Sequence, residues 1–436
     1  MKTPVCIVGA GPVGLTLALL LNRYGVAATV VEKQAEPYPL PRAVHFDGEA
    51  MRVFQAAGVA KALEAETHVS PGMLFKNAAG EVLVDWSRAQ EIGDTAWHES
   101  YRCHQPSVEA VLREACRAAG VNLLEGVSVV GFSQNEDLVQ VVLGNGEGIE
   151  CGYLVGCDGA NSLVRKALGI ELEDLGFEEP WLVVDLVLKH PRPDLGDYSV
   201  QYCDPDAPAT YVRGVGDRRR WEIRLTSDQV PDEADVWERL SRWITPRDAR
   251  LERSAVYTFR SVLAERWREG RVFLAGDAAH QMPPFMGQGM CCGIRDAANL
   301  AWKLAQALQG GDDVLATYET ERSPHLRAFV ELSVNLGRLI NATGHGAVPE
   351  GPMKSIWPAL GPGLGARDAV AGRLAPQVFM NNERSDDVAG PWAYALTRGN
   401  EVPGLPNVVD TGGWLEAHGL MAVVVRPDGY VLEAVR

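Results

Sequence analysis

The chain has 436 residues, and 41 Lys and Arg against 57 Asp and Glu give it a formal net charge of −16 at pH 7. This balance excludes a protein that holds nucleic acid through bulk positive charge. With 46% hydrophobic residues, 22% charged residues and 45 glycines, the composition is that of a globular protein. At roughly 150 residues per domain, we expect two or three domains.

The eight cysteines are scattered and include no C-x-x-C pair. They favour a reduced, cytoplasmic setting over a disulfide framework, and they provide no metal site. No stretch reaches the ~20 uninterrupted apolar residues of a membrane span. The apolar run near the start is broken by Gly9 and Gly14 and lacks the cleavage site of a signal peptide. We therefore expect a cytoplasmic protein with no membrane or nucleic-acid partner.

The N-terminal segment has the order of a dinucleotide-binding unit. The pattern predicts a strand, a glycine-rich turn, a helix and a second strand, at Val5–Val8, residues 9–14, Leu15–Tyr24 and Thr29–Val31. Gly9 permits the tight turn, Gly11 lets the backbone approach a pyrophosphate, and Gly14 lets the helix pack on the strand. Pro12 opens the helix, whose free N–H groups face the phosphates.

An acidic residue ends the second predicted strand. Glu32 follows Gly14 by 18 residues, close to the spacing at which a carboxylate accepts hydrogen bonds from ribose hydroxyls. Its charge argues against a 2′-phosphate, so the ligand is NAD or FAD. We also place the adjacent Lys33 in this cofactor site.

The middle of the chain changes character. A strand from Cys151 to Cys157 ends in Asp158, followed by a helix that contains Arg165. Strand-like runs then follow with little helix between them, at Leu182–Leu188, Tyr198–Cys203, Ala209–Arg213, Trp221–Leu225 and Ala255–Phe259. This block predicts an antiparallel sheet inserted between the halves of an α/β domain.

The α/β pattern returns with a buried strand at Arg271–Ala275, the motif Gly276-Asp277-Ala278-Ala279-His280, and a helix at Ile294–Leu308. Beyond Gly344 the sequence is rich in Gly and Pro through Gly365, which predicts a linker into a small C-terminal unit. Only one dinucleotide fingerprint is present.

Taken together, the glycine turn, Asp158-Gly159 with Arg165, and the Asp277 motif resemble the FAD-dependent aromatic hydroxylases, which are single-component flavoprotein monooxygenases. The resemblance runs from Val5 to about His325. It is nearest to the branch that contains 3-(3-hydroxyphenyl)propionate hydroxylase, on segments such as Arg218-Arg219-Arg220-Trp221-Glu222. Most aromatic hydroxylases have Asn where this chain has Cys291.

The resemblance implies an α/β fold: a Rossmann-like FAD-binding domain, an inserted antiparallel-sheet substrate domain, and a small thioredoxin-like C-terminal unit that is short or incomplete. The corresponding ranges are 1–71, 101–175 and 263–343 for FAD, 72–100 and 176–262 for substrate, and 344–436 for the linker and last unit. The sequence carries no signal for the oligomeric state, and it is compatible with a homodimer.

The resemblance also implies site residues. Beyond the glycine turn, Glu32 and Lys33, the residues expected to bind FAD are Arg42, Gln105, Asp158, Asp277, Pro284, Gly287, Gly289 and Met290. His45 and Pro284 are expected beside the reacting ring. The sheet residues Tyr202, Tyr211, Arg213 and Arg224 are candidates to contact the substrate. Solvated charges, strand-to-helix turns and core packing are the competing interpretations of these residues.

The implied chemistry uses FAD, NADH or NADPH as a transient electron donor, and O2. A flavin C4a-hydroperoxide would hydroxylate a phenol, with a phenylpropionate as the first expectation and a polycyclic polyketide-type phenol as the second. Competing classes are a flavin halogenase, whose W-x-W-x-I-P signature is absent, an isoprenoid epoxidase or reductase, a plain NAD dehydrogenase, and a flavin-binding protein without activity. A dehydrogenase would leave the Asp277 motif unexplained.

Overall fold

The computed structural model describes residues 1–88, 92–226, 230–343, 357–365 and 368–435. Within those residues the protein is a mixed α/β structure with two eight-stranded sheets and a four-stranded sheet near the C terminus. The first part of the predicted linker, residues 344–356, lies outside the described residues. None of the described helices is long and apolar enough to cross a membrane.

The helices are, in chain order, α1 (Pro12–Arg23), α2 (Gly48–Ala56), α3 (Ala60–Glu66), α4 (Gln105–Ala118), α5 (Leu163–Ala167), α6 (Glu233–Leu240), α7 (Gly289–Ala307), α8 (Thr317–Thr343), α9 (Ser385–Ala389) and α10 (Trp414–Ala417). Short 3₁₀ helices lie at Pro193–Leu195, Gly276–Ala278, Pro284–Met286 and Asp312–Ala316.

The strands are β1 (Lys2–Val8), β2 (Ala28–Glu32), β3 (His45–Asp47), β4 (His68–Val69), β5 (Gly72–Asn77), β6 (Val82–Ser87), β7 (Ser100–Arg102), β8 (Asn122–Glu125), β9 (Val129–Gln134), β10 (Val139–Leu143), β11 (Gly148–Gly156), β12 (Leu172–Leu188), β13 (Ser199–Cys203), β14 (Ala209–Arg213), β15 (Arg218–Arg224), β16 (Ala249–Ala264), β17 (Arg268–Glu269), β18 (Val272–Leu274), β19 (His280–Gln281), β20 (Phe379–Met380), β21 (Glu383–Arg384), β22 (Tyr394–Thr397), β23 (Asn407–Val409), β24 (Ala422–Val425) and β25 (Val431–Val435).

The first sheet carries the N-terminal unit. Its order is β17-β18-β11-β1-β2-β8, and β11, β1, β2 and β8 pair in parallel. Val5, Cys6 and Ile7 in β1 are fully buried, as expected for a parallel strand covered on both faces. The first turn of α1 therefore lies at the carboxyl edge of this sheet, where ligands of open α/β sheets bind.

The second sheet has the order β19-β16-β12-β15-β14-β13-β5-β6. Its inner face packs on the core of the first sheet through residues such as Phe75 and Trp181. Its outer face forms a second core with α6, which includes Tyr211, Trp221 and Val236. The long strands β12 and β16 pair with each other almost continuously from Leu172 to Leu188. They therefore cross the predicted boundaries between the FAD and substrate domains, at residues 175–176 and 262–263.

The C-terminal unit has its own sheet, of order β23-β22-β24-β25, and its own apolar core. Glu321 of α8 ties this unit to the rest of the protein. Its carboxylate accepts hydrogen bonds from Lys303 Nζ at 2.7 Å, from Asn299 Nδ2 at 3.0 Å, and from Arg426 of the last hairpin at 2.8 and 2.9 Å. Burial would raise the pKa of Glu321, but Arg426 and Lys303 lower it to about 2.

Replacing Glu321 with Gln should destabilise the protein by about 3–5 kcal/mol, because Lys303 would lose its buried anionic partner and Arg426 would keep only Asp428. Thermal unfolding followed by circular dichroism checks this. Glu173→Gln is the control, since Glu173 pairs with Arg327 at the surface, and its effect should stay within about 0.5 kcal/mol. Equal, small effects of both substitutions would contradict the role of Glu321.

Candidate active site

The glycine turn between β1 and α1 requires glycine at two positions for different reasons. Gly9 has φ of +105°, and a Cβ there would lie 2.4 Å from the carbonyl oxygen of Cys157. A Cβ on Gly14 would lie 2.1 Å from the carbonyl oxygen of Gly9. By contrast, a Cβ on Gly11 would meet no protein atom within 4 Å. The space in front of the α1 N terminus is therefore open, and Pro12 begins the helix there.

Glu32 holds this turn in place. One carboxylate oxygen accepts a hydrogen bond from the backbone N–H of Ala10, and the other accepts one from Gln34, both at 2.9 Å. Arg113 donates to the carbonyl oxygen of Ala10 at 2.9 Å. The carboxylate thus supports the glycine turn directly, while the adjacent Lys33 is exposed.

The loop that carries Asp277 meets the glycine turn at Val13. A Cβ on Gly276 would lie 3.0 Å from Val13 Cγ2, and a Cβ on Gly293 of α7 would lie 2.6 Å from the same atom. The glycine turn and the Asp277 loop, which are far apart in the sequence, therefore lie against each other at Val13. Any side chain at Gly293 would push α7 away from α1. The sequence predicted that these motifs serve one ligand, and the structure brings them together.

A buried ionic network fixes the Asp277 loop. Asp296 of α7 accepts hydrogen bonds from the backbone N–H of Gly276 at 3.0 Å, from His280 Nε2 at 2.6 Å and from Arg322 Nε at 2.9 Å. Burial opposes the charge of Asp296, but His280 and Arg322 hold the pKa of Asp296 below its ordinary value. Asp296 therefore stays ionised and fixes the conformation of the loop. The side chain of Asp277 takes no part in this network.

Asp277 is exposed, whereas its neighbours Gly276 and Ala278 are buried. This pattern is typical of a side chain in the wall of a cleft. Desolvation by the surrounding protein raises the pKa of Asp277, and the neighbouring His280 and Arg42 oppose that rise. Arg42 is itself exposed, with its guanidinium 5.3 Å from the centre of the Tyr38 ring. The predicted cofactor residues Asp277 and Arg42 are therefore near enough to interact electrostatically.

The backbone of the Arg42 segment is held from both sides. Gln105 Oε1 accepts hydrogen bonds from the N–H groups of Arg42 at 3.2 Å and Ala43 at 2.6 Å. Arg220 of β15 donates to the carbonyl oxygens of Pro41 and Arg42, both at 2.7 Å. Gln105 thus positions the chain that carries Arg42, and the second sheet reaches the cofactor side through Arg220.

His45 meets the loop before α7. Its Nε2 lies 2.8 Å from Ser100 Oγ, and its Nδ1 lies 3.3 Å from the carbonyl oxygen of Gly287. Gly287 has φ of +65°, and a Cβ there would lie 2.7 Å from that same Nδ1. Burial, with Arg88 nearby, lowers the pKa of His45 to about 4, so the imidazole is neutral at pH 7.

The N terminus of α7, like that of α1, leaves open space beside its first residue. A Cβ on Gly289 would meet no protein atom within 4 Å, and Met290 is only partly buried. The first N–H groups of a helix have no intrahelical acceptor, and they carry the positive end of its dipole. Pro284, in the 3₁₀ turn just before, is also partly buried and borders this opening.

Arg295 anchors α7 to the strand of His45. This fully enclosed guanidinium donates to Asp47 at 2.6 Å, to Glu49 at 2.7 Å and to Gln288 at 3.0 Å. Burial would lower the pKa of Arg295, but Asp47 and Glu49 keep it above its ordinary value. Sequence reasoning missed Arg295, although two adjacent charges, Arg295-Asp296, inside a largely apolar helix were the available signal.

Asp158 has a structural role in the described chain. Its carboxylate accepts hydrogen bonds from Ser162 Oγ at 2.5 Å and from the N–H groups of Leu163 at 2.7 Å and Val164 at 3.2 Å. It therefore caps α5, the alternative interpretation of this motif. Arg165 of α5 donates to the carbonyl oxygen of Ala278 at 3.0 Å and so braces the Asp277 loop.

The four predicted substrate residues lie on different faces of the second sheet. Tyr202 and Tyr211 pack in or against the outer core, with ring centres 4.8 Å from Trp243 and Trp221 respectively, which corrects their prediction as substrate contacts. Arg213 lies two residues after Tyr211 in β14 and is therefore on the same face of the sheet. Its guanidinium donates a hydrogen bond to the carbonyl oxygen of Gly216. Only Arg224, opposite Trp181 in β12, lies on the inner face.

No group of three or more His, Cys, Asp or Glu side chains suited to a metal ion occurs within the described ranges. The glycine turn, the Asp277 loop and the N termini of α1 and α7 are together typical of a dinucleotide-binding flavoprotein fold. The chain belongs to the family described as FAD binding domain, whose model matches residues 2–333. The predicted resemblance to FAD-dependent aromatic hydroxylases is confirmed.

Two relatives illustrate the similarity. A protein of Rhodococcus jostii (strain RHA1) named "Probable NADH-specific resorcinol 4-hydroxylase" is 38% identical, and the match covers 99% of this chain and 92% of that protein. A 3-(3-hydroxy-phenyl)propionate/3-hydroxycinnamic acid hydroxylase of Mycobacterium avium (strain 104) is 37% identical over 78% of this chain. The match covers 62% of the length of that second protein.

Solved structures of hydroxylases share the fold. Aklavinone-11 hydroxylase, in a ternary complex with FAD and aklavinone, has a TM-score of 0.83 and 25% identity, with 99% of this chain and 95% of that chain covered. The anhydrotetracycline hydroxylase OxyS of Streptomyces rimosus has a TM-score of 0.76 and 26% identity, with 100% and 96% covered.

The low pKa of His45 generates a pH prediction. An unfolded His45 takes up a proton near pH 6.5, whereas the folded side chain does so only near pH 4. The unfolded state therefore binds more protons in this window, and stability falls as the pH drops from 6.5 to 4. His45→Asn should flatten this part of the curve of melting temperature against pH. Parallel curves for both proteins would contradict a neutral, enclosed His45.

Proposed function

We propose that the chain is an FAD-dependent monooxygenase that uses a reduced nicotinamide and O2 to hydroxylate the ring of a phenol. The convergence of the glycine turn, the Asp277 loop and the α7 N terminus on one open space carries this proposal. Family membership and the named activities of both relatives support it. NADH is the proposed donor, since a relative whose match covers 99% of this chain is named NADH-specific.

The residues around this space fit FAD. The open positions at Gly11 and Gly289 leave room for a ligand against two helix N termini, which suit the pyrophosphate and the electron-rich edge of the flavin ring. Asp277 and Arg42 would contact polar groups of the cofactor between these ends. Glu32, Gln105, Asp158 and Gly287 would act by fixing the loops that hold it, with Met290 beside the ring.

FAD, when bound, supplies the redox chemistry that accepts hydride and passes one oxygen atom to the substrate. The chain's own contribution is position and charge. The α7 N terminus would stabilise negative charge at the flavin edge, and Pro284 would shape the wall beside the substrate. Neutral His45, whose two ring nitrogens contact Ser100 and Gly287, would hold the loop before α7 in position beside the reacting ring. Exclusion of water by the second sheet would protect the reaction from wasteful release of H2O2.

The domain assignment is part of the proposal. The ranges 1–71, 101–175 and 263–343 would form the FAD domain, and 72–100 and 176–262 the substrate domain. The last unit would be a shortened thioredoxin-like domain, consistent with its small mixed sheet. No disulfide joins the eight cysteines, all of which lie within the described residues, and this supports a cytoplasmic location.

The test of this function is oxidation of NADH and NADPH by purified holoenzyme against a panel of phenols. We expect a substrate-stimulated rate and a product heavier by one oxygen atom, measured by mass spectrometry. A second candidate, a polycyclic phenol, rests on the likeness to the aklavinone and anhydrotetracycline hydroxylases, so such phenols belong in the panel. If no phenol in the panel yields an oxygenated product, the hydroxylase proposal fails.

Asp277→Ala should lower the flavin content of the purified protein at least tenfold, because it removes a polar contact from the centre of the proposed FAD site. The ratio of absorbance at 450 nm to that at 280 nm measures this. Asp137→Ala, in an exposed turn, is the matched control and should retain full flavin. Unchanged flavin in the Asp277 variant would remove that residue from the site.

A further inference from the structure

The carbonyl group of Gly287, just before α7, contacts two side chains. His45 Nδ1 lies 3.3 Å from its oxygen, and Cys291 Sγ lies 3.6 Å from it. A thiol is a weak hydrogen-bond donor, so the imidazole makes the stronger of the two contacts. Gly287 has φ of +65°, and its own N–H donates to the carbonyl oxygen of Pro284 at 2.7 Å. The orientation of the carbonyl therefore depends mainly on His45.

The direction of this carbonyl also fixes the direction of the next N–H group. A trans peptide is planar, and its C=O and N–H bonds point in opposite directions. Because the Gly287 oxygen faces His45, the N–H of Gln288 points away from His45. Among the described residues, no acceptor lies within hydrogen-bond distance of this N–H, since the first bond of α7 runs from Cys292 to the Gln288 carbonyl. The Gln288 N–H is therefore an unused donor next to the open space at Gly289.

The tautomer of His45 follows from its two contacts. Burial, with Arg88 nearby, lowers the pKa of His45 to about 4, so at pH 7 the ring is neutral and carries a single N–H. A carbonyl oxygen can only accept a hydrogen bond, so the contact with Gly287 places this proton on Nδ1. Nε2 is then an acceptor, and the hydroxyl of Ser100, 2.8 Å away, donates to it.

The small sheet of β3, β7 and β4 places Ser100 beside His45. Ser100 of β7 pairs directly with Asp47 of β3, and His45 lies two residues before Asp47. His45 and Ser100 are therefore diagonal neighbours on one face of the sheet. Ser100 is only 3% exposed, so its hydroxyl donates to the ring from a fixed, buried position.

We propose that Ser100 is a positioning residue that acts through His45 to aim the Gln288 N–H at the edge of the flavin ring that becomes negative on reduction. The Ser100 hydroxyl holds His45 in its Nδ1–H tautomer, and His45 holds the Gly287 carbonyl. This inference rests on the proposed function, in which the α7 N terminus lies at that edge. A donor fixed in advance stabilises the added negative charge and so makes the flavin easier to reduce.

Loss of the Ser100 hydroxyl would release this arrangement. No donor would face Nε2 of His45, so the proton could move from Nδ1 to Nε2. The lone pair of Nδ1 would then face the oxygen of Gly287, and the two would repel each other. Because glycine has wide conformational freedom, the peptide after Gly287 would rotate and turn the Gln288 N–H away from the flavin. The expected result is a flavin that still binds but is harder to reduce.

The first measurement is the tautomer of His45 in the holoenzyme, read from the nitrogen NMR shifts of isotope-labelled histidine. The resonances that disappear in His45→Asn identify this ring. The parent should carry the proton on Nδ1, and Ser100→Ala should contain a population with the proton on Nε2. A parent that carries the proton on Nε2 would overturn the proposal, whatever the variants do.

The second measurement is the reduction potential of the bound flavin, obtained by equilibration with reference dyes in the absence of O2 and phenol. In Ser100→Ala, the preference for reduced over oxidised flavin should fall about tenfold, which corresponds to about 30 mV for a two-electron couple. The affinity for oxidised FAD should be nearly unchanged. Ser100→Thr keeps the hydroxyl and should recover most of the parent potential.

Ser385→Ala is the matched control, because Ser385 is a buried, hydrogen-bonded serine of the C-terminal unit, and its loss should leave the potential unchanged. An unchanged potential or a loss of flavin in Ser100→Ala would overturn the role of Ser100. So would an equal fall in Ser385→Ala or no recovery in Ser100→Thr. If the tautomer and potentials are as expected but no phenol gives an oxygenated product, the proposed function fails instead.

Discussion

The close approach of three backbone segments around Val13 is the constraint on which the site depends. Side chains are excluded at Gly14, Gly276 and Gly293, because a Cβ at each would overlap or crowd a neighbouring segment. The first turn of α1 therefore packs directly against the Asp277 loop and α7. Without this contact, the glycine turn and the Asp277 loop would face separate spaces, and neither alone could enclose a dinucleotide.

Buried ion networks keep these segments in register. Asp296 fixes the Asp277 loop, Arg295 joins α7 to the strand of His45, and Glu321 joins α8 to the C-terminal unit. Each network leaves few buried charges unpaired, so its cost of desolvation is offset by several charge-assisted hydrogen bonds.

Local patterns predicted much of the fold. The glycine turn, the apolar strand before it and the acid after it were readable because backbone geometry dictates residue type there. The alternation of β14 was also readable, and its strand occupies the predicted range, Ala209–Arg213. What the pattern could not supply was which face of that strand points inward, because both faces are buried, one against each core. The sequence therefore could not show that Tyr202 and Tyr211 lie on the face that packs in the outer core.

Long-range pairings were equally invisible in the sequence. Nothing near Arg220 indicates that it holds the carbonyl oxygens of Pro41 and Arg42, and nothing near Glu321 indicates Arg426 as its partner. Motifs that bind a ligand have fixed local spacing, whereas charge pairs between distant segments depend on the folded topology. The glycine turn, the Asp277 loop and α7 therefore meet around Val13, as the motifs predicted, while the residues that position these segments emerged only from the structure.

Titration of deflavinated protein with FAD, followed by flavin fluorescence, tests the central claim that both motifs bind one cofactor. The titration should saturate at one FAD per chain. Gly11→Val and Gly289→Val each add a side chain where the protein leaves open space, so each should weaken that single binding event at least tenfold without loss of fold. Saturation at no FAD or two FAD per chain, or sensitivity to only one of the two substitutions, would contradict the claim.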